Sequence, residues 1–219
     1  QTDLDLLYEW SCKWHMKFNA KKCKIITLTG SKKPVNFYYN MNGLVLERVS
    51  HMRDLGVIVD SELSWTNQVT SIVAKANQMS YLVKRSIGHQ APISVKKQLY
   101  LSLVRSNLEY CSQVWGGINK HDTVKLERVQ KRATKYILGY PKAKNYNVRL
   151  SELDIIPLSY RREINDFILF YKCQNNLCEF NVSDHVTFTC NRPNDRFTRS
   201  TVDILQLCVP KCNTEAGKH

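Results

Sequence analysis

The sequence predicts an α+β protein that is mainly α, and three observations support this class. An Asn-Gly pair at positions 42–43 stands between short aromatic and apolar runs, which is typical of a β-hairpin. From about residue 66, apolar residues recur every three or four positions, which is helical spacing. This periodicity is lost after Asn175. We therefore expect a short helix and a small antiparallel sheet in residues 1–64, a bundle of long helices in residues 65–175, and an irregular tail in residues 176–219.

The N-terminal region predicts one helix followed by strands. Asp3 is a suitable N-cap for a helix that runs to about Met16. We expect Trp10, Trp14 and Phe18 to be packing groups. The strands are expected in runs rich in β-branched and aromatic residues, bounded by turn residues. These runs are Cys23–Thr29, Phe37–Met41 and Leu44–Leu46 on either side of the Asn-Gly turn, and Arg53–Asp60 as one further strand.

The helical region is organised around the stretch Val95–Trp115. It is apolar over most of its circumference, so we expect one helix buried against several neighbours, roughly 31 Å long at 1.5 Å per residue. Neighbouring helices are expected at about Thr66–Ile87, at Asp122–Leu138 with Gly139 as its stop, and after Pro157. The apolar seam of the first is Val69, Ile72, Ala76, Met79, Val83 and Ser86, and that of the second is Leu126, Val129 or Gln130, Ala133, Tyr136 and Ile137.

The charge of the chain points to a polyanionic partner. The formal net charge is +13, and a folded protein this basic usually meets nucleic acid or, as a second choice, an anionic membrane surface. No run of 18 apolar residues is present, so we expect no membrane-spanning segment. The first residues lack the basic start and apolar core of a signal peptide, and we expect an intracellular protein of the nucleus or cytoplasm, cut from a longer chain.

The basic residues concentrate on the third long helix. Residues 121–150 contain eight Lys or Arg against two acids, and four of the bases repeat at helical spacing. A solvated helix face is the ordinary interpretation of such a run; the scarcity of acids favours phosphate binding instead. The candidate nucleic-acid-binding residues are Lys75, Lys84, Arg85, Lys125, Arg128, Arg132 and Lys135.

Neither the cysteines nor the carboxylates form a familiar reactive pattern. The eight cysteines are expected as reduced thiols, while a zinc site among Cys173, Cys178, His185, Cys190, Cys208 and Cys212 is the alternative. Two-metal chemistry on phosphates needs neighbouring carboxylates, and no Asp-Asp pair occurs. Asp54 and Asp60 would share a face of the expected strand, a weak signal. From the residues alone we predict no catalytic site, no metal site and no cofactor.

Several segments together carry a resemblance to a known family. In order and spacing they resemble the region downstream of the active site in reverse transcriptases of non-LTR, LINE-type, jockey-like retrotransposons, over about residues 1–175. The segments are Trp10-x3-Trp14-x-Met16-x-Phe18-Asn19-x2-Lys22-Cys23; Asp54-Leu55-Gly56-Val57-x-Val59-Asp60-x2-Leu63-x-Trp65; Leu108-Glu109-Tyr110-Cys111-x2-Val114-Trp115; Leu126-Glu127-x-Val129-Gln130-x-Arg132-Ala133; and Arg149-Leu150-x2-Leu153 with Arg161-Arg162.

The resemblance implies different roles for the first 64 residues and for residues 65–175. Residues 1–64 would be the end of the palm, where Asn19 and Lys22 lie near the incoming nucleotide. Leu55, Gly56 and Val57 would match the primer grip, a tight strand turn in which a glycine permits close backbone approach. Residues 65–175 would be the thumb and connector helices, which hold a template–primer duplex by its backbone. The family's metal-binding Tyr-x-Asp-Asp motif is absent from this chain.

Three functional hypotheses follow from the resemblance. The first is a fragment of an RNA-directed DNA polymerase that grips an RNA–DNA hybrid or other nucleic acid, is inactive alone, and belongs with upstream palm and fingers that would bind Mg²⁺. The second is a helical protein-interaction or nucleic-acid-binding remnant of a domesticated or decayed element. The third is a functional polymerase whose other half is encoded upstream.

Overall fold

The described part of the protein is mostly helical, and the strands found in it are short and lie within the first 60 residues. The computed structural model describes residues 1–29, 31, 35–139 and 144–179. The chain divides into two compact units, Gln1–Ser71 and a second that begins at Ile72. The predicted class, α+β and mainly α, is confirmed. Most of the expected tail, part of the loop at 30–34 and Lys142 lie outside the described residues.

The described residues of the first unit form a short N-terminal helix, three two-stranded pairs and the start of the first long helix. Strands β2 and β3 pair antiparallel, as do β5 and β6, whereas β1 and β4 pair in parallel. The elements are α1 (Thr2–Lys13), a 3₁₀ turn (Ala20–Lys22), β1 (Lys24–Ile25), β2 (Asn40–Met41), β3 (Leu44–Val45), β4 (Glu47–Arg48), β5 (His51–Asp54) and β6 (Val57–Asp60).

The Asn-Gly hairpin is confirmed. Asn42 and Gly43 connect β2 to β3 with φ of 52° and 73°. Two successive positive φ values define the type I′ turn, whose twist matches that of the paired strands. Asparagine and glycine are the residues that adopt this conformation at least cost, so the local sequence is sufficient to specify the turn.

The prediction of one strand over Arg53–Asp60 is wrong. The chain reverses at Leu55 and Gly56, with φ of 44° and 90°, and places β5 against β6. The Val57-Ile58-Val59 segment is typical of a strand, and the sequence pattern does not reveal a turn in which the preceding leucine occupies the left-handed region. The carboxylates of Asp54 and Asp60 are consequently at opposite ends of a hairpin, paired in register with Val57 and His51.

Helix α1 is shorter than expected and does not bury its tryptophans. It ends at Lys13 because His15 adopts a φ of 56°, which turns the chain so that the Met16 amide donates to the Ser11 carbonyl. Ser11 is the buried residue of the helix. Trp10 and Trp14 are 47% and 59% exposed, so the expectation that they are packing groups is wrong.

The long helices begin with α2, which includes the boundary between the two units. Its predicted seam is largely confirmed, since Val69, Ile72, Ala76 and Val83 are buried. The helical elements are α2 (Thr66–Ile87), α3 (Ile93–Leu99) continued by a π-helical segment (Tyr100–Arg105), α4 (Ser106–Glu109), α5 (Ser112–Trp115), α6 (Lys120–Leu138), α7 (Tyr146–Leu153) and α8 (Leu158–Gln174).

The central stretch is not the single buried helix that was predicted. The helix ends at Glu109, and Cys111 has a φ of 52°. The buried Trp115 ring donates its indole N–H to the Tyr110 carbonyl at 2.8 Å, while the Val114 amide donates to the Cys111 carbonyl instead. A local side-chain bond therefore occupies the carbonyl that would have accepted the next bond of the helical ladder.

Burial along this stretch follows one stripe instead of the whole circumference. Tyr100, Val104 and Leu108 are buried at steps of four. Leu103 and Val114 are 40% and 57% exposed. Apolar residues all around a helix thus did not mean neighbours all around it, because the described residues cover only part of its surface.

Helix α6 matches its prediction best, because both of its ends are specified locally. The Asn119 side chain accepts from the Asp122 amide at 2.8 Å, so the helix begins at Lys120, and it ends where Gly139 turns with a φ of 69°. Of the predicted inward residues, Leu126, Val129, Gln130, Ala133 and Ile137 are buried.

Gln130 is the polar centre of the helical core. Its side chain is fully buried; it accepts from the Tyr100 hydroxyl at 2.6 Å and donates to the Tyr146 hydroxyl and the Ile156 carbonyl, both at 3.0 Å. One amide thus joins α6 to the π-helical segment, to α7 and to the chain before α8. Helix α7, which the sequence did not predict, is held in part by this contact.

Glu127 completes this network. Its carboxylate accepts from the Tyr146 hydroxyl and from the Leu158 amide, at the first turn of α8. An anion at a helix N-terminus satisfies an unpaired amide and complements the helix dipole. Burial, as the main cause, raises the pKa of both Tyr100 and Tyr146 well above its ordinary value, so these hydroxyls remain protonated donors within the core.

Replacing Gln130 tests whether this amide organises the helices. Gln130→Ala leaves the buried Tyr100 hydroxyl without its acceptor and removes the bonds to the half-buried Tyr146 hydroxyl and the Ile156 carbonyl. We therefore expect a loss of on the order of 2 kcal/mol in the free energy of unfolding. Urea denaturation followed by helical circular dichroism measures it. Gln78→Ala, at an exposed position of α2, is the matched control and should change stability by less than about 0.5 kcal/mol. Equal effects of the two substitutions would contradict the role given to Gln130.

Candidate nucleic-acid interface

The basic stripe of α6 lies on its solvent side. Arg128, Arg132 and Lys135 are exposed, as is Lys131 beside them. Their spacing of three and four residues keeps the three on one face of the helix. The opposite face is the one buried through Leu126, Val129, Ala133 and Ile137, so the stripe and the core divide the helix between them.

The two acids of α6 are directed away from this stripe. Asp122 is 1% exposed and accepts from Lys125 Nζ at 2.8 Å, and Glu127 serves Tyr146 and α8. Among the residues that the structure describes, no salt bridge involves Arg128, Arg132 or Lys135. Lys125 differs from the other six candidates, because its charge is already compensated.

Not every base counted between residues 121 and 150 contributes to this surface. Arg149 is 3% exposed, donates to Thr134 Oγ1 at 3.2 Å and lies against the Tyr146 ring. Lys144 pairs with Glu152. The accessible positive charge of this part of α6 therefore resides in Arg128, Lys131, Arg132 and Lys135.

Lys84 of α2 joins the stripe next to Arg132. Arg132 donates to Asn77 Oδ1 at 3.1 Å, which brings α6 against α2, and Lys84 Nζ lies 5.2 Å from the centre of the Tyr136 ring. Partial burial, and secondly the charge of Arg132, lower the pKa of Lys84. Two cations held together at a partly buried site would each be stabilised by an anion between them.

Lys96 is a cation of this site that the sequence analysis missed. It is buried, donates to the His89 carbonyl at 2.7 Å and lies 5.3 Å from the same Tyr136 ring, whose hydroxyl donates to the Gly88 carbonyl. A cation over an aromatic face is attracted by the ring quadrupole. Within α3, Lys96 looked like an ordinary solvated residue, and only the position of Tyr136 on another helix distinguishes it.

Lys75 and Arg85 are exposed but are not gathered at this cluster. Lys75 precedes Lys84 by nine residues, about two and a half helical turns, and therefore projects from the opposite side of α2. Arg85 follows Lys84 and is displaced by about 100° around the helix axis. The structure thus brings Lys84 together with the α6 stripe and leaves Lys75 and Arg85 apart from it.

The candidate residues of the first unit occupy two surface turns. Asn19 precedes the 3₁₀ turn, its carbonyl accepts from the Lys22 amide at 2.9 Å and the Cys23 thiol at 3.4 Å, and both Asn19 and Lys22 are exposed. Their proximity to a nucleotide stays a prediction, as does the primer-grip role of Leu55, Gly56 and Val57.

The turn between β5 and β6 has an unusual composition for its shape. Leu55 is 84% exposed with a positive φ, whereas Val57 beside it is buried. A leucine in the left-handed region costs on the order of 1 kcal/mol relative to a residue that tolerates it. Gly56 has a φ of 90°, a conformation that glycine adopts without strain. The turn therefore favours glycine at this position whether or not another backbone approaches it closely.

The described residues do not fit a magnesium or zinc centre. Across residues 1–29, 31, 35–139 and 144–179, no three His, Cys, Asp or Glu side chains are grouped to hold a metal ion. Cys190, Cys208, Cys212 and His185 of the zinc alternative lie outside that part of the chain. No described helix is long and apolar enough to cross a membrane.

Comparison with curated proteins supplies the family context. The chain is 27% identical over 145 residues to the RNA-directed DNA polymerase from mobile element jockey of Drosophila funebris. The identity is also 27%, over 148 residues, to the jockey polymerase of Drosophila melanogaster. The chain is 23% identical over 145 residues to a probable RNA-directed DNA polymerase from transposon BS of Drosophila melanogaster.

The chain is similar to a segment of jockey-like RNA-directed DNA polymerases. Each match covers 64% of the chain but 16% of the relative. No protein-family model matches, and no solved structure gives a significant match. The resemblance to jockey-like non-LTR retrotransposon reverse transcriptases is therefore confirmed, and the assignment of its parts to palm and thumb stays a prediction.

Leu55→Asn tests whether the β5–β6 turn is under backbone strain. Asparagine tolerates the left-handed region, so we expect the hairpin to be stabilised by about 1 kcal/mol. Amide hydrogen exchange through opening of the hairpin should then be roughly fivefold slower in β5 and β6. Hydrogen exchange followed by mass spectrometry measures it. Leu44→Asn is the matched control: Leu44 is an exposed strand residue without a positive φ, and no gain is expected there. Unchanged exchange in Leu55→Asn would show that the turn is not strained.

Proposed function

We propose that this chain holds a template–primer nucleic-acid duplex by its phosphate backbone, as the gripping part of an RNA-directed DNA polymerase. The observation that carries the proposal is the segregation of charge on α6. Its two acids are engaged by Lys125 and by the core, while Arg128, Arg132 and Lys135 are exposed without acidic partners among the described residues. The similarity to jockey-like polymerases supports a nucleic acid as the polyanion.

The stripe has a length suited to a strand of phosphates. Arg128 and Lys135 are separated by seven residues, about 10 Å along the helix. That distance is close to the rise of three nucleotides along one strand of a duplex, at about 3.4 Å each. Such contacts position a duplex without reading its bases, which is what a polymerase that copies any template requires.

Lys84 extends the same surface beside Tyr136, whereas Lys96 is buried and donates to the His89 carbonyl. The lowered pKa of Lys84 reflects burial and repulsion by Arg132, and a phosphate between these two cations would remove the repulsion. Arginine can meet two phosphate oxygens at once, whereas lysine acts as a point charge. Arg132 would therefore orient a phosphate that Lys84 helps to neutralise.

A salt titration of binding to a short RNA–DNA hybrid tests the proposal. We expect affinity to fall steeply with salt, and Arg128→Glu with Lys135→Glu to weaken binding at least tenfold. The slope of log affinity against log salt should become shallower by about 2, because two phosphate contacts are lost. Fluorescence anisotropy with a labelled hybrid measures both quantities.

The matched control is the double variant Lys13→Glu with Lys172→Glu. It alters two exposed lysines outside α6 and changes the net charge by the same amount. We expect it to retain most of the affinity. If both double variants weaken binding equally, the effect is one of total charge and the α6 interface is wrong. An affinity that is independent of salt would also overturn it.

We further propose that this chain does not polymerise by itself. The described residues do not group carboxylates for a two-metal site, so we derive no catalytic step from them. Incubation with a primed RNA template, deoxynucleotides and Mg²⁺ should leave the primer at its original length. Primer extension by the purified chain that persists after contaminating polymerases have been removed would contradict this proposal.

A protein-interaction module is the second candidate, and exposed apolar residues on α8 favour it. Phe167, Ile168 and Tyr171 are 72%, 48% and 63% exposed and, with Ile164 and Leu177, line an open groove of about 340 Å³. Exposed apolar side chains that line a groove are a feature of protein interaction sites. The double variant Arg128→Glu with Lys135→Glu separates the two candidates. It should weaken nucleic-acid binding, whereas the affinity of a protein that binds the α8 groove should not change.

A further inference from the structure

Helix α8 ends in a turn that folds the chain back on itself. The Asn176 amide donates to the Cys173 carbonyl and the Leu177 amide to the Lys172 carbonyl, while Asn176 has a φ of 54°. These two bonds around a left-handed residue form the Schellman motif. Leu177 accordingly lies beside Tyr171 and Ile168 in the apolar groove. The turn is thus specified by neighbouring residues and needs no distant contact.

The same turn brings two cysteines into contact. Cys178 Sγ lies 3.0 Å from Cys173 Sγ, about 1 Å more than the length of a disulfide bond. Cys173 is buried and Cys178 is partly exposed, and both are free thiols. Contact with Cys178, together with burial, raises the pKa of Cys173. The pair is therefore asymmetric, with one thiol accessible to reagents and its neighbour protected directly beneath it.

We propose that Cys173 and Cys178 form an oxidisable dithiol site that small disulfides, such as oxidised glutathione, convert to an intramolecular disulfide. The Cys178 thiolate attacks one sulfur of the oxidant, forming a mixed disulfide and releasing one glutathione thiolate. Cys173 then loses its proton and attacks the Cys178 sulfur, which releases the second. Two protein thiols are oxidised, one glutathione disulfide is reduced, and the two protons pass to the released glutathione.

The geometry favours this chemistry over a metal site. A tetrahedral zinc site needs four ligands at about 2.3 Å for sulfur, and among the described residues no third His, Cys, Asp or Glu joins this pair. Disulfide formation needs only the two sulfurs and a small closing movement. The product would tie Cys178 to α8 and so fix Leu177 at the rim of the apolar groove.

The test uses the full chain carrying Cys190→Ser, so that the tryptic peptide beginning at Cys173 holds only these two cysteines. The protein is reduced, freed of reductant, and incubated with excess oxidised glutathione. We expect this peptide to lose the mass of two hydrogens and to carry no glutathione. Two glutathione adducts on the peptide, or two unmodified thiols, would overturn the proposal.

Single substitutions separate the roles of the two thiols. In Cys173→Ser the resolving thiol is absent, so a stable glutathione adduct should accumulate on Cys178. In Cys178→Ser the peptide should react at least tenfold more slowly, because the remaining thiol is buried. Cys111→Ser is the control and should leave the disulfide unchanged. The Cys173→Ser and Cys178→Ser variants also carry Cys190→Ser, so that each peptide keeps one thiol. Equal reactivity of the two variants, or no glutathione adduct on Cys178 in Cys173→Ser, would contradict the assignment. Circular dichroism before oxidation establishes that each variant is folded.

Discussion

One buried amide constrains the helical unit more than any other polar group described in it. The Gln130 side chain has its oxygen and nitrogen satisfied by groups from three different segments, and each bond requires α6 to be in a single rotation about its axis. A buried amide left without these partners would cost on the order of 1–3 kcal/mol per group, far more than a slipped apolar contact. Apolar packing alone would tolerate several rotations of such a helix; the amide selects one.

That rotation determines where the charge goes. With Gln130 inward, Glu127 reaches Tyr146 and the start of α8. Arg128 and Arg132, which immediately precede the seam residues Val129 and Ala133, face solvent. The Glu127 carboxylate is therefore engaged inside the fold, while the basic side chains of α6 remain exposed to solvent. An exposed basic face thus arises from the same constraint that holds the core together, without a separate set of residues dedicated to either.

The parts of the fold that could be predicted are those decided within a few residues. Asn42-Gly43 forms its hairpin turn, and α6 begins at its Asn119 cap and ends at Gly139. The errors arise where residues adopt a backbone conformation that their own preferences oppose. The chain breaks at Cys111 and reverses at Leu55, and both residues have a positive φ that is uncommon for their types. In the candidate site the α6 stripe could be read from spacing, whereas Lys96 and the compensation of Lys125 needed the positions of Tyr136 and Asp122.

The sequence by itself determined the excess of basic residues, their helical period, the resemblance to jockey-like reverse transcriptases, and the local caps and turns, because each depends on composition or on contacts between near neighbours. Only the tertiary structure decided which charges are accessible, that Glu127 is engaged by the Tyr146 hydroxyl and the Leu158 amide, and that Lys84 rather than Lys75 accompanies Arg132. These outcomes depend on which helix faces meet and on how the chain reverses, and a linear pattern carries no information about a partner that lies dozens of residues away.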